Sequence, residues 1–213
     1  MRNISPSLLS ADFTKLAEHI KELENVGVSR LHLDVMDGHF VPNLTFGPFI
    51  IQQIKEVTNL HLETHLMITG PNRYFDDYIK AGSDTLIFHY EASDTIKDDL
   101  KYIQSQNIKS GLAINPDTDI EVLYQYLDYL DYILIMSVFP GFGGQSFIDS
   151  TLEKMRLLSE ICKDKSILIG VDGGVNLSTI DKVYNHGADV TIVGSGLFKA
   201  DNIQLRYNEL MSE

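Results

Sequence analysis

The chain is expected to fold as one α/β domain, a single (β/α)8 TIM barrel spanning residues 1–213. Three observations lead there. Short apolar runs alternate with helical patterns eight times over 213 residues. The pieces "VGVS", "AGSD" and "HGAD" each follow an amphipathic stretch and precede an apolar run. No Pro/Gly/Ser-rich linker or shift in composition divides the chain. Strict strand–helix alternation argues for a parallel sheet. Eight units in a chain of this size argue for closure into a barrel. A doubly wound open sheet is the alternative reading of the same alternation.

The elements follow in order. A first strand starts near Ile4 and a helix covers about 14–26, where Leu16, Ile20 and Leu23 recur at helical spacing. Gly27 then occupies the left-handed position just past a helix. A strand from Leu31 leads to a helix near 47–56, and a strand from His61 to a helix near 72–81 that Gly82 stops. Strands from Thr85, Ser110 and Tyr132 precede helices near 94–106, 119–128 and 148–162. The last two units are a strand from Ile167 with a helix near 176–186, and a strand from Val190 with a helix near 198–211. Ile180, Val183 and Tyr184 form the apolar face before Gly187.

Composition narrows the function. The formal net charge is −13, so the basic footprint that nucleic-acid binding requires is missing. A small anionic ligand remains compatible, because backbone N–H groups bind phosphate without net positive charge. The longest plainly apolar run, around Ile133–Met136, is far short of a membrane span. The N-terminal "MRNISPSLLS" lacks an uninterrupted apolar signal segment. Cys162 is the only cysteine, which excludes a disulfide framework and suits a reduced, cytoplasmic setting.

Barrel strands alternate side chains between interior and exterior, and the chemistry of such barrels sits at the C-terminal strand ends. In "RLHLDVM" the residues Leu31, Leu33 and Val35 share one parity, and His32, Asp34 and Met36 the other. In "HLETHLM" Glu63, His65 and Met67 share a parity. "SILIGVDGG" ends a strand at Asp172, "YILIMSV" carries Met136, and Ser7 stands at the end of the first strand. Two imidazoles and two carboxylates from three strands make a competent site for Zn²⁺, and equally for Fe²⁺, Mn²⁺ or Co²⁺. His19, His39, His61, His89 and His186 have no such context and are expected to be structural. Three glycine clusters, "PGFGGQ", "DGG" and "GSG", end the last three strands, where such barrels commonly hold phosphate.

These motifs, in their order, resemble the ribulose-phosphate 3-epimerase family. The resemblance is carried by "SPSLLSAD" (5–12), "LHLDVMDGHFVPNLTFG" (31–47), "HLM" (65–67), "FHYEAS" (88–93), "MSVFPGFGGQSF" (136–147), "VDGG" (171–174) and "VGSGLF" (193–198). It implies a barrel of the ribulose-phosphate-binding type. It implies that His32, Asp34, His65 and Asp172 ligate one divalent cation, with zinc the expected ion. By the same resemblance Asp34 and Asp172 are the acid/base pair. Ser7, His65 and Asp172 contact substrate, and Gly141, Phe142, Gly143, Gly144, Gly173, Gly174, Gly194 and Ser195 grip the phosphate. Met36, Met67 and Met136 wall the pocket.

The reaction so implied is interconversion of D-ribulose 5-phosphate and D-xylulose 5-phosphate through an enediolate, within the pentose phosphate pathway. The partner is then a small phosphorylated ketose, with no nucleic acid and no membrane, and relatives form homo-oligomers, dimers or hexamers. The alternatives are the sister epimerase of D-allulose 6-phosphate, a sugar-phosphate decarboxylase, and a non-catalytic phospho-sugar binder. Against the decarboxylase, no Asp-x-Lys stands at a strand end. With the charge so negative, the phosphate grip is expected to be backbone N–H and helix dipole, with no Arg clamp. Two positions depart from the family pattern: Phe139 stands in place of Asn, and Gly170 in place of Glu.

Overall fold

A computed structural model describes residues 2–212; Met1 and Glu213, the outermost residues of the expected domain, lie outside it. Among the described residues, eight strands form one parallel sheet. They are β1 (Ile4–Pro6), β2 (Arg30–Met36), β3 (His61–Met67), β4 (Thr85–His89), β5 (Lys109–Ile114), β6 (Tyr132–Met136), β7 (Leu168–Asp172) and β8 (Val190–Val193). From β2 to β8 each strand pairs with the next in sequence, and β1 pairs with β8. The remaining seam, between β1 and β2, is bridged in parallel at Ser7 and His32. The sheet therefore curls into the (β/α)8 barrel, and the open-sheet alternative drops out.

The helices are α1 (Leu16–Asn25), α2 (Pro48–Val57), α3 (Phe75–Lys80), α4 (Ile96–Ser105), α5 (Thr151–Ile161), α6 (Ile180–Asn185), α7 (Ser195–Phe198) and α8 (Ile203–Met211). The glycine stops stand where expected: Gly27, Gly82 and Gly187 have φ of 86°, 100° and 92°. After α1, Gly27 N–H donates to Glu24 O and Val28 N–H to Leu23 O, the paired bonds that close a helix end. Asn107, at φ 60°, plays the same part after α4.

Two expected helices differ. Residues Ile120–Tyr129 form successive 3₁₀ turns instead of an α-helix. That stretch is rich in Tyr, Val and Ile, which lose side-chain freedom against a preceding α-turn. The expected helix near 198–211 is two pieces, because Asn202 accepts from Leu205 N–H and starts α8 afresh.

Strand parity separates two apolar layers. Leu31, Leu33, Val35, Leu62, Leu66, Ile133, Ile135, Ile169 and Val171 face outward and pack with Ile20, Leu23, Ile51, Leu100, Met155 and Val183 of the helices. Ile87, Ala113, Tyr132, Leu134, Met136, Val190 and Ile192 fill the interior beneath the later strands. The interior beside β2 and β3 is instead polar, with His32, Asp34, Glu63 and His65 all buried.

Gly170 faces this interior. A Cβ there would come within 2.6 Å of ring carbons Cε1 and Cζ of Tyr132 and overlap its hydroxyl. The space where the family resemblance points to a carboxylate is thus taken by a buried tyrosine. Gly170→Ala is expected to cost about 1–3 kcal/mol through overpacking. Combining it with Tyr132→Leu should recover part of that loss, a coupling of about 0.5–3 kcal/mol in a double-mutant cycle of denaturant unfolding. Strict additivity would show that the two side chains do not compete for one space.

Candidate active site

The register of β2 on β3 sets the site. His32 lies opposite Glu63, Asp34 opposite His65, and Met36 opposite Met67. Across the barrel, Met136 on β6 lies opposite Asp172 on β7. These registers gather the candidate ligands: His32, Asp34, His65 and Asp172 each offer an atom within 4.8 Å of the other three. His32 Nε2 and His65 Nδ1 are 3.3 Å apart, and each is 3.4 Å from Asp34 Oδ1. Asp172 Oδ2 is 3.8 Å from His65 Nδ1 and 4.0 Å from His32 Nε2.

Neighbouring groups hold the carboxylates in place. Ser7 Oγ donates to Asp34 Oδ2 at 2.5 Å. Thr45 Oγ1 donates to Asp34 O at 2.6 Å and accepts from Met36 N–H, which fixes the end of β2. Ser137 Oγ donates to the carbonyls of Asp172 and Gly173 and holds the end of β7. Beneath the site Glu63 accepts from Ser5 Oγ and pairs with Arg30. Its Oε2 is 3.7 Å from His32 Nδ1, too long for a hydrogen bond.

Burial and crowding split the four groups electrostatically. For Asp34, burial alone would favour the neutral acid, but the His32 and His65 imidazoles outweigh it and hold the carboxyl far below its ordinary range. For Asp172, burial and the Asp34 charge act together, and the carboxyl is pushed up to about 7. Burial opposes charge on His32, but Asp34, Glu63 and Asp172 outweigh it and push it up to about 10. Burial dominates at His65, helped by the neighbouring His89 and His32, and it falls to about 3 against the pull of Asp34. A site with one proton-poor and one proton-rich carboxyl has its acid and its base already distinguished. Mutually repelling carboxylates and facing imidazole nitrogens also form a donor set suited to a divalent cation, which would relieve both conflicts.

Above the cluster opens a pocket at the C-terminal end of the barrel. Its lining includes Ser7, Asp34, Met36, Met67, Met136, Gly141, Phe142, Gly143, Gly144, Asp172, Gly173, Gly174, Gly194 and Ser195. Every expected pocket residue other than His32 and His65 is on that surface, and these two lie fully buried beneath it. Gly173 and Gly174 have φ of 119° and 66°, and a Cβ at Gly174 would meet the Phe147 backbone within 2.7 Å. Gln145 Nε2 donates to the carbonyls of Phe139 and Phe142 and folds the 139–145 loop. No lysine or arginine is among the lining residues, although Lys199 Nζ lies 3.7 Å from where a Gly144 Cβ would stand. Phe139 is exposed outside the lining.

Sequence reasoning missed some participants. Ser10 also lines the pocket, 2.8 Å from where a Gly194 Cβ would lie, and stood within the quoted "SPSLLSAD". His89 ends β4 fully buried, with Nε2 2.8 Å from His65 Nε2. Its parity, shared with the inward-facing Ile87, was the available signal. His39 is exposed.

Two carboxyls of opposite proton affinity and two imidazoles, set at the C-terminal mouth of a barrel beneath glycine loops, have the make-up of a barrel enzyme's active site. The chain belongs to the ribulose-phosphate 3-epimerase family, an isomerase family whose sequence profile it matches over residues 3–198. It is 43% identical over 201 residues to the ribulose-phosphate 3-epimerase of Bacillus subtilis, covering 93% of each chain. Its identity to the Chlamydia pneumoniae enzyme of that name is 43%, covering 95% of this chain and 90% of the relative. A chloroplastic ribulose-5-phosphate-3-epimerase from Arabidopsis thaliana is 44% identical, covering 92% of this chain and 72% of that protein. Among solved structures, 3-keto-L-gulonate-6-phosphate decarboxylase from Vibrio cholerae superposes with a TM-score of 0.72 at 18% identity, covering 99% and 95% of the two chains. A tryptophan synthase α-subunit from Pyrococcus furiosus gives 0.75 at 14% identity, covering 98% and 97%. At such identities these two share the fold alone.

Proton linkage tests the donor set. The raised groups, His32 and Asp172, are the ones carrying protons near neutrality, and a cation must displace them. Loading Zn²⁺ at pH 7 should therefore release about 1.5 protons per ion, all of the His32 proton and about half of that on Asp172. Calorimetry in buffers of different ionisation enthalpy measures this number. Apparent affinity should climb with pH throughout, by about two decades per unit below about pH 6, where both groups give up protons, and by about one per unit between about pH 8 and pH 10, where only His32 does. An affinity independent of pH would contradict the assignment.

Proposed function

We propose that this chain interconverts D-ribulose 5-phosphate and D-xylulose 5-phosphate by proton transfer at C3 between Asp34 and Asp172. The observation that carries the reading is the opposite proton affinity of two carboxyls facing one small volume. Asp34, ionised, takes the C3 proton from one face. Asp172, protonated, delivers a proton to the other, and in reverse the roles exchange. Ser7, bonded to Asp34 Oδ2, orients the base and leaves its other oxygen directed into the cluster.

His32, Asp34, His65 and Asp172 would hold one divalent cation, with zinc favoured by the nitrogen and oxygen donors. When bound, it supplies Lewis-acid stabilisation of the negative charge that develops on the substrate as the C3 proton leaves. The methionine wall formed by Met36, Met67 and Met136 keeps water from that charge. The glycine loops bind the phosphate through backbone, remote from C3, and so orient the sugar over the carboxylates. By family, the chain acts as one barrel domain in a homo-oligomer within pentose phosphate metabolism.

Coupled assays on ribulose 5-phosphate and allulose 6-phosphate, before and after chelation with each of Zn²⁺, Fe²⁺, Mn²⁺ and Co²⁺ restored, test the whole reading. Preference for the hexose phosphate would move the chain to the sister reaction. Asp34→Asn and Asp172→Asn should each lower kcat by at least about 10²–10⁴-fold while leaving the fold intact by circular dichroism. Wild-type-like turnover in either would sink the assignment. Lys199→Ala should raise KM by no more than about fivefold, the range of one exposed charge. A far larger rise would put a cation, and not the backbone, in charge of the phosphate.

A further inference from the structure

Behind His65 lies a chain of polar groups that the reaction as described does not use. His89 Nε2 is 2.8 Å from His65 Nε2, with the ring planes 22° apart and the centroids at 5.0 Å, an edge-on contact in nearly one plane. On its other side His89 Nδ1 is 3.3 Å from Glu91 Oε2. Glu91 Oε1 accepts from Asn115 N–H at 2.9 Å and from the Thr118 hydroxyl, so the loop after β5 anchors it. The Phe40 ring packs against His89 with centroids 4.9 Å apart.

We propose that Glu91 and His89 are positioning residues that fix the tautomer of His65, keeping a lone pair on its Nδ1 for a cation. The proposal rests on the reading that the four clustered residues bind one. Its logic is one of direction. An ionised carboxylate only accepts, so Glu91 requires the proton of His89 on Nδ1. With His89 neutral, its Nε2 is then an acceptor, which requires His65 to carry its own proton on Nε2. His65 Nδ1 is left with its lone pair facing Asp34 Oδ1 at 3.4 Å and Asp172 Oδ2 at 3.8 Å. Outer partners of this kind set the orientation of metal-ligating imidazoles. His32 has no matching clamp, since Glu63 is 3.7 Å from its Nδ1 and already engaged by Arg30 and Ser5.

Glu91→Gln tests the relay without changing shape. The side-chain carbonyl must stay at the Oε1 position to accept from Asn115 N–H. The amide nitrogen then faces His89 Nδ1 and forces the proton to its Nε2. That proton points at His65 Nε2 and drives the His65 proton onto Nδ1, where it closes the lone pair. Competition of the purified protein with a chromogenic chelator for Zn²⁺ should show affinity weakened by about 10–100-fold. The loss of affinity should exceed what any change in the thermal midpoint of the metal-free protein accounts for, whereas a purely structural role would lower the two in step. If Glu91→Gln binds Zn²⁺ as wild type does, or loses affinity only in step with metal-free stability, the relay is overturned. If wild type itself takes up no Zn²⁺, the cation reading falls and the relay with it.

Discussion

The parallel pairing of β2 with β3 is the constraint on which the rest depends. One register places His32, Asp34, Glu63 and His65 on the inner face and Leu31, Leu33, Leu62 and Leu66 on the outer. A slip of one residue would turn every one of these side chains over. The outer leucines are completely buried against helices, so the slip would expose them and bury polar groups among hydrocarbon. Apolar packing outside the barrel therefore enforces polar geometry inside it. The later strands fill the rest of the interior with Ile87, Leu134, Val190 and Ile192, which leaves the polar groups gathered under one side of the mouth.

That gathering stores an electrostatic conflict. Two carboxylates, two imidazoles and a deeper Glu63–Arg30 pair share a dry interior, where charges interact strongly. The fold answers with differentiation: Asp34 is surrounded by imidazoles and Ser7, while Asp172 has the Asp34 charge for a neighbour. The same asymmetry that makes the site costly to bury gives the two carboxyls distinct protonation states. Ser137 and Thr45 act on backbone at the ends of β7 and β2, so both carboxyls rest on fixed strands and not on loops. The glycine loops line the pocket above them, where backbone can approach a ligand closely.

Much of this was legible in the sequence, for stated reasons. Alternation gave the barrel, and Gly27, Gly82 and Gly187 marked helix ends, because left-handed backbone selects glycine so strongly. Parity found His32, Asp34, His65 and Asp172. It would have found His89 as well, but the role of His89 comes from contact across strands: His65 lies opposite Ile87, and His89 reaches it from two residues further on. The meeting of Tyr132 with Gly170 was hidden in the same way, since the two are diagonal neighbours on β6 and β7. The 3₁₀ turns over Ile120–Tyr129 keep an apolar spacing that an α-helix would also show. Spacing alone does not separate the two.

The central claim is that two different carboxyls serve the two faces of C3. Ribulose 5-phosphate carrying deuterium at C3, converted in ordinary water and stopped early, tests it most directly. With separate donors, the first xylulose 5-phosphate formed carries hydrogen from solvent at C3 and no substrate deuterium. Deuterium retained at C3 of that early product would mean that one group removes and returns the same proton, and would contradict the account.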